Sequence, residues 1–101
     1  YAELDSGPVS EALAGATTDV KGQDIKVKID FAAVKGDAYP ITAVSYEIVC
    51  SKGKDAAKAK LLKSFLAYAV GDGQKSAEAA GYAPLPDTLA GQVATAVTAL
   101  S

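Results

Sequence analysis

Apolar and polar residues alternate strictly along one stretch of the chain, from Asp24 to Phe31. The apolar members of this pattern are Ile25, Val27, Ile29 and Phe31. A period of two predicts a β-strand with one face toward the core and one toward water. A second run, Ile41 to Cys50, is rich in β-branched residues and almost uninterrupted in apolar character. It is predicted to be a more central strand than the first.

The strongest helical signal lies between Asp55 and Val70. Apolar residues recur there at the spacing of a helical face, while Lys54, Lys58 and Lys63 share another side that is predicted to be solvated. The apolar positions are Leu61, Leu62, Phe65, Leu66 and Ala69. Gly71 to Gly73 is predicted to end this helix, because glycine favours the conformation in which helices stop.

Shorter elements complete the pattern. Within Pro8 to Ala16, Ser10 is predicted to be the N-cap of a short Ala-rich helix, and another short helix is predicted over Gln74 to Ala80. Tyr82 to Pro86 is predicted to be extended, because its two prolines oppose a helix. Asp87 is predicted to be the N-cap of the last helix. The apolar stripe of that helix consists of Leu89, Val93, Val97 and Leu100.

These elements predict an α/β protein with too few strands. A two-stranded sheet is marginal alone, and a strand as apolar as Ile41 to Cys50 requires neighbours. We therefore expect an incomplete domain whose missing chain supplies those neighbours. A compact protein of this mass, 10.2 kDa, is expected to expose about 5,300 Å² of surface.

Composition excludes several classes of function. The 101 residues carry 10 basic and 12 acidic side chains, all ten basic ones are lysine, and histidine is absent. This balance lacks the basic excess of a nucleic-acid-binding protein. Without histidine and with one cysteine, the chain cannot form a His/Cys zinc site, a Ser-His-Asp triad or a Cys-His pair. We predict no enzyme activity, no catalytic or metal-binding residue and no cofactor.

Features that suggest a site have simpler structural interpretations. Gly71 to Gly73 lacks the spacing of a phosphate-binding loop and is interpreted as a helix stop. Tyr39 and Tyr82 each stand near a proline and are expected to pack at a structural edge. Cys50 is predicted to be buried, to be a free thiol, or to form a disulfide with a cysteine outside this chain.

Several segments together resemble a known family. They are Ala38 to Thr42, Val44 to Cys50, Phe65 to Ala69, Gly73-Gln74 and Gly81 to Asp87. In order and spacing they are similar to the C-terminal part of PstS, the phosphate-binding subunit of bacterial phosphate ABC transporters. The form of Tyr46 to Lys52 is most like actinobacterial members.

The resemblance implies a type II periplasmic-binding-protein fold, in which two α/β lobes close on a dehydrated phosphate. Residues 1–35 are then expected to end the second lobe, residues 36–40 to lie near the hinge crossover, and residues 41–101 to return to the first lobe. The phosphate ligands of the family lie upstream, so no residue of this chain is predicted to bind phosphate.

The implied function is that of a high-affinity extracytoplasmic phosphate-binding protein that feeds an ABC importer. The implied partners are inorganic phosphate, the remaining N-terminal part of the protein and the permease, with membrane attachment only through a lipid anchor. In an oxidising compartment, Cys50 could bridge to an upstream cysteine. Because the chain starts at Tyr1, a processed or truncated N-terminus is expected. The alternatives are a binding protein for sulfate, molybdate or tungstate, and an independent small interaction domain without a ligand.

Overall fold

The structure is a computed structural model, which describes residues 4–101. Three α-helices, one β-hairpin and two short 3₁₀ helices make up its regular structure, in agreement with the predicted mixture of helix and sheet. In chain order the elements are α1 (Ser6–Ala14), β1 (Thr17–Lys21), β2 (Asp24–Lys28), α2 (Ala56–Val70), 3₁₀ helices at Asp72–Ser76 and Glu78–Ala80, and α3 (Asp87–Thr98).

Helix α1 begins at Ser6, upstream of the predicted N-cap Ser10. Its N-cap is Asp5, whose carboxylate accepts a hydrogen bond from the Ser6 N–H at 2.8 Å, so the prediction of Ser10 as N-cap is wrong. Pro8 fits the first turn because the N–H groups there have no partner within the helix. The Ser10 hydroxyl instead donates to the carbonyl oxygen of Pro84 at 3.4 Å.

The alternating pattern is confirmed as a strand over Asp24–Lys28, although that strand ends three residues before Phe31. Its antiparallel partner β1 was not predicted, because its sequence is mostly polar and does not alternate. The register pairs Thr17 with Lys28 and Lys21 with Asp24, so β2 extends only as far as β1 can pair with it. Gly22 turns the hairpin with a φ of 63°, a conformation that glycine adopts without steric cost.

The predicted central strand from Ile41 to Cys50 is not formed in the described chain. Residues 29–55 contain neither helix nor strand, and the backbone of residues 40–50 makes no hydrogen bond with any described residue. Ile41 is 79% exposed and Ile48 is 94% exposed. The reason is that a strand needs a partner, and the described residues offer only a short hairpin. The Tyr46 hydroxyl forms a hydrogen bond with that hairpin, 2.9 Å from the backbone nitrogen of Val27.

Helix α2 confirms its prediction closely. Asp55 is the N-cap, and its carboxylate accepts hydrogen bonds from the N–H groups of Ala57 and Lys58 at 3.0 and 3.1 Å. The solvated interpretation of Lys63 is wrong, because its ammonium donates to the carbonyl oxygen of Thr98 at 2.6 Å and so satisfies the C-terminal end of α3. Gly71 ends α2 as predicted.

The segment after α2 differs from the predicted helix over residues 74–80, since two 3₁₀ helices take its place. The Gln74 side chain holds this segment, with its amide nitrogen 2.7 Å from the Ala69 carbonyl oxygen and its amide oxygen accepting from the Leu85 N–H at 2.8 Å. As predicted from the two prolines, residues 82–86 are not helical. Asp87 is not an N-cap: it is the first residue of α3 and its side chain makes no capping bond.

The core is small and centres on the packing of α2 against α3. Leu66 on α2 is 6% exposed, while Leu89 and Val97 on α3 are each 7% exposed. The predicted stripe on α3 is therefore confirmed at its buried positions. In contrast, both phenylalanines of the chain, Phe31 and Phe65, are more than half exposed.

Removal of the α2 cap is expected to have a measurable cost. Asp55→Ala leaves two N–H groups at the start of α2 without their acceptor and is expected to lower the free energy of unfolding by about 1 kcal/mol. Urea titration followed by circular dichroism measures this change. Asp37→Ala is the matched control, because Asp37 is exposed and lies outside the helices. Equal urea midpoints for the two variants contradict the assigned cap.

Candidate functional site

Exposed apolar surface is the main chemical feature of the described chain. The accessible area is 7306 Å², whereas a compact protein of this mass is expected to expose about 5,300 Å². The excess of roughly 2,000 Å² is rich in large apolar side chains. Those more than half exposed are Leu4, Phe31, Ile41, Tyr46, Ile48, Leu61, Phe65, Tyr68 and Tyr82.

Three of these side chains form a continuous stripe on α2, which we call the outer face. It consists of Leu61, Phe65 and Tyr68, which are 73%, 60% and 59% exposed. Their spacing of four and three residues places them one above another on the helix. Leu66 lies on a different side of the same helix, toward α3. Helix α2 therefore has one apolar side that packs within the chain and another that the described residues leave uncovered.

Two segments singled out in the sequence meet at α1. The Tyr39 N–H donates to the carbonyl oxygen of Pro8 at 2.9 Å, and the Ser10 hydroxyl contacts Pro84. Tyr39 is half-buried there, whereas Tyr82 is 66% exposed. Helix α1 thus contacts two distant segments: Tyr39, which precedes the strandless residues 40–50, and residues 82–86, which precede α3.

A cavity of about 430 Å³ lies at the start of α2. Cys50, Lys54, Lys58 and Ser101 are among the residues that line it. The N–H groups at this helix start are already bonded to Asp55, so they are not free to hold an anion. The two lysines alone provide only loosely placed positive charge, which is a poor basis for selective anion binding.

Cys50 is exposed and its thiol is free in this chain, so the prediction that it is buried is wrong. Burial depended on the formation of the strand that ends at Cys50, and that strand is absent. The prediction of a disulfide with a cysteine outside this chain stays a prediction.

A second cavity, of about 380 Å³, lies between the hairpin and α3. Gln23 closes part of it by donating a hydrogen bond to the carbonyl oxygen of Ala99 at 3.1 Å. Its lining contains no ionisable side chain. It therefore offers no charge to balance an anion.

Among residues 4–101, no group of three or more His, Cys, Asp or Glu side chains is placed to hold a metal ion. None of the helices described in this range has the length and apolar character needed to cross a membrane.

Comparison with known proteins relates this chain to one named group. It is 36% identical over 95 residues to the phosphate-binding protein PstS3 of Mycobacterium bovis BCG, a match that covers 92% of this chain and 26% of that protein. The PstS 3 protein of Mycobacterium leprae is 34% identical over the same length. The PstS protein of Xylella fastidiosa is 33% identical over 89 residues, which are 85% of this chain and 24% of that protein. The chain is related to the PstS phosphate-binding proteins.

The relationship confirms the resemblance predicted from the sequence, including its likeness to actinobacterial members. The chain spans about a quarter of the length of the PstS relatives that it matches. No protein-family model matches the chain. No solved structure matches it either. The names of the PstS relatives describe phosphate binding and no catalytic activity.

The outer face of α2 was not predicted as a separate surface. The helical spacing predicts one apolar face that consists of Leu61, Leu62, Phe65, Leu66 and Ala69. At 100° per residue, however, the centre of the outer face lies about 100° around the helix from the centre of the stripe formed by Leu62, Leu66 and Ala69. The sequence feature that indicates the outer face is this wide apolar arc, because such an arc is typical of a helix that is buried on two sides.

Proposed function

We propose that this chain is part of a high-affinity extracytoplasmic phosphate-binding protein that supplies inorganic phosphate to an ABC importer. The observation that carries the proposal is the similarity to PstS proteins across 92% of the chain. The structure contributes a second argument, because its large apolar exposure is expected of a segment whose packing partners lie elsewhere in the same protein.

The groups that bind phosphate are proposed to lie in the remainder of that protein. Binding a phosphate strongly requires oriented N–H donors, hydroxyls and usually a guanidinium. This chain has no arginine, and the start of its longest helix is occupied by Asp55. We therefore assign no phosphate ligand to residues 1–101, and the permease is a proposed partner of the whole protein only.

The two-lobed type II architecture is also part of the proposal. Residues 1–35 are assigned to the end of the second lobe, residues 36–40 to the hinge crossover and residues 41–101 to the first lobe. Supporting this division, the irregular connection between Lys28 and Ala56 contains the proposed crossover, and connections between domains are typically irregular. Closure of the lobes about this hinge is the proposed working motion.

Isothermal titration calorimetry tests the proposed function. The longer protein that contains this chain is expected to bind orthophosphate, and the 101-residue chain is expected to show no binding heat. Competition with sulfate, molybdate and tungstate determines which oxyanion is preferred. Tight phosphate binding by residues 1–101 alone, or preference of the longer protein for another oxyanion, contradicts the proposal.

A further inference from the structure

The outer face of α2 lacks a partner among the described residues, although it is apolar and continuous. Leu61, Phe65 and Tyr68 are each more than half exposed there. We propose that this face is covered by the remaining part of the same protein. The inference rests on the proposed function only in placing the chain within a longer protein, and does not depend on which ligand that protein binds.

The size of the uncovered surface favours an intramolecular contact. The chain exposes 7306 Å², roughly 2,000 Å² more than a compact protein of its mass. A standard contact between two separate proteins covers about 800 Å² on each partner. This excess is spread over the whole chain, so a single contact with a permease leaves most of it exposed, whereas packing within one folded protein covers the outer face together with the other exposed apolar side chains.

The residue types on the face also favour permanent burial. Phenylalanine and leucine are among the residues most often fully buried in folded proteins. In this chain, however, Phe65 and Leu61 of the outer face are both more than half exposed. The tyrosine at the C-terminal end of the stripe adds a large ring whose hydroxyl can remain hydrated. A stripe of this kind fits an apolar partner surface, such as the face of a sheet or another helix.

The length of the relatives provides enough chain to cover this face. The matched segment is 26% of the mycobacterial PstS3 protein, which leaves about three quarters of such a protein outside the match. That remainder is far larger than the segment itself. A second copy of the same chain is therefore not needed to bury the outer face.

Substitution of Phe65 in the longer protein, without phosphate, tests the inference. Phe65→Ala is expected to lower the melting temperature by roughly 5–10 °C, because it removes a large buried side chain. Lys60→Ala is the matched control: it lies on the same helix, is exposed, and is expected to shift the melting temperature by less than about 1 °C.

Hydroxyl-radical labelling of the wild-type protein gives a measurement that does not depend on a variant's folding. Phe65 and Tyr68 are expected to be labelled on the order of tenfold more slowly than in the same protein unfolded in urea, because buried side chains are shielded from water.

Each alternative has its own outcome. Full labelling of Phe65 with an unchanged melting temperature overturns the inference. If sedimentation shows that the wild-type protein is a dimer and the Phe65→Ala variant is a monomer, the face belongs to a contact with a second copy and the inference is overturned. Loss of transport with unchanged stability assigns the face to the permease and overturns it too. Failure of the wild-type protein to bind phosphate contradicts the proposed function but leaves this inference standing if Phe65 is protected.

Discussion

Leu66→Ala is expected to lower the free energy of unfolding by about 2–5 kcal/mol. Leu66 is 6% exposed and lies on the side of α2 that packs against α3, where Leu89 and Val97 are also buried. The substitution removes apolar contacts and leaves a cavity that the surrounding helices fill only in part. Urea unfolding of the longer protein, with and without the substitution, measures the change.

Ser64→Ala is the control for this experiment. Ser64 lies on the same helix but is exposed, so its truncation is expected to change the free energy of unfolding by less than about 0.5 kcal/mol. A Leu66→Ala variant as stable as the Ser64→Ala variant contradicts the assigned α2–α3 core.

The parts of the fold that were predicted correctly are those determined locally. Helix α2 carries a capping aspartate, an apolar period and a glycine stop within about 17 consecutive residues. These signals act within a few turns of chain, so the prediction of its limits is confirmed to within one residue. The buried stripe on α3 was also predicted, because helical periodicity alone determines which residues share a face.

The parts that were predicted wrongly depend on distant partners. The run from Ile41 to Cys50 has a strong β-preference, but this preference becomes a strand only where another strand is present to pair with it. β1 lacks an alternating apolar pattern and yet forms a strand, because the turn at Gly22 folds it back onto β2. The exposure of Cys50 follows from the same missing partner.

For the candidate site, composition alone could predict which kinds of chemistry the residues do not support. The absence of histidine and arginine from the sequence argues against the common catalytic and phosphate-gripping arrangements without reference to any structure. The placement of exposed surfaces could not be predicted in this way. The outer face of α2 became visible only when the exposure of Phe65 was compared with the burial of its neighbour Leu66.

The unpaired stretch over residues 40–50 is expected to show the largest difference between the 101-residue chain and the longer protein. Its backbone makes no hydrogen bond to any described residue, and the hydroxyl of Thr42 is buried without a partner among them. Buried polar groups such as this hydroxyl rarely remain unpaired in folded proteins, and a β-preferring run pairs where a partner strand is available. We therefore expect this stretch to gain a partner strand when the rest of the protein is present.

Hydrogen exchange measures this gain residue by residue. In the 101-residue chain the amides of residues 41–50 are expected to exchange at the rate of an unstructured peptide. In the longer protein they are expected to exchange about a thousandfold more slowly, a protection of about 4 kcal/mol. The amides of β2 serve as an internal reference, because they are already paired in the hairpin. Fast exchange of residues 41–50 in the longer protein contradicts strand pairing, since a paired strand within a sheet opens only with much of the surrounding structure.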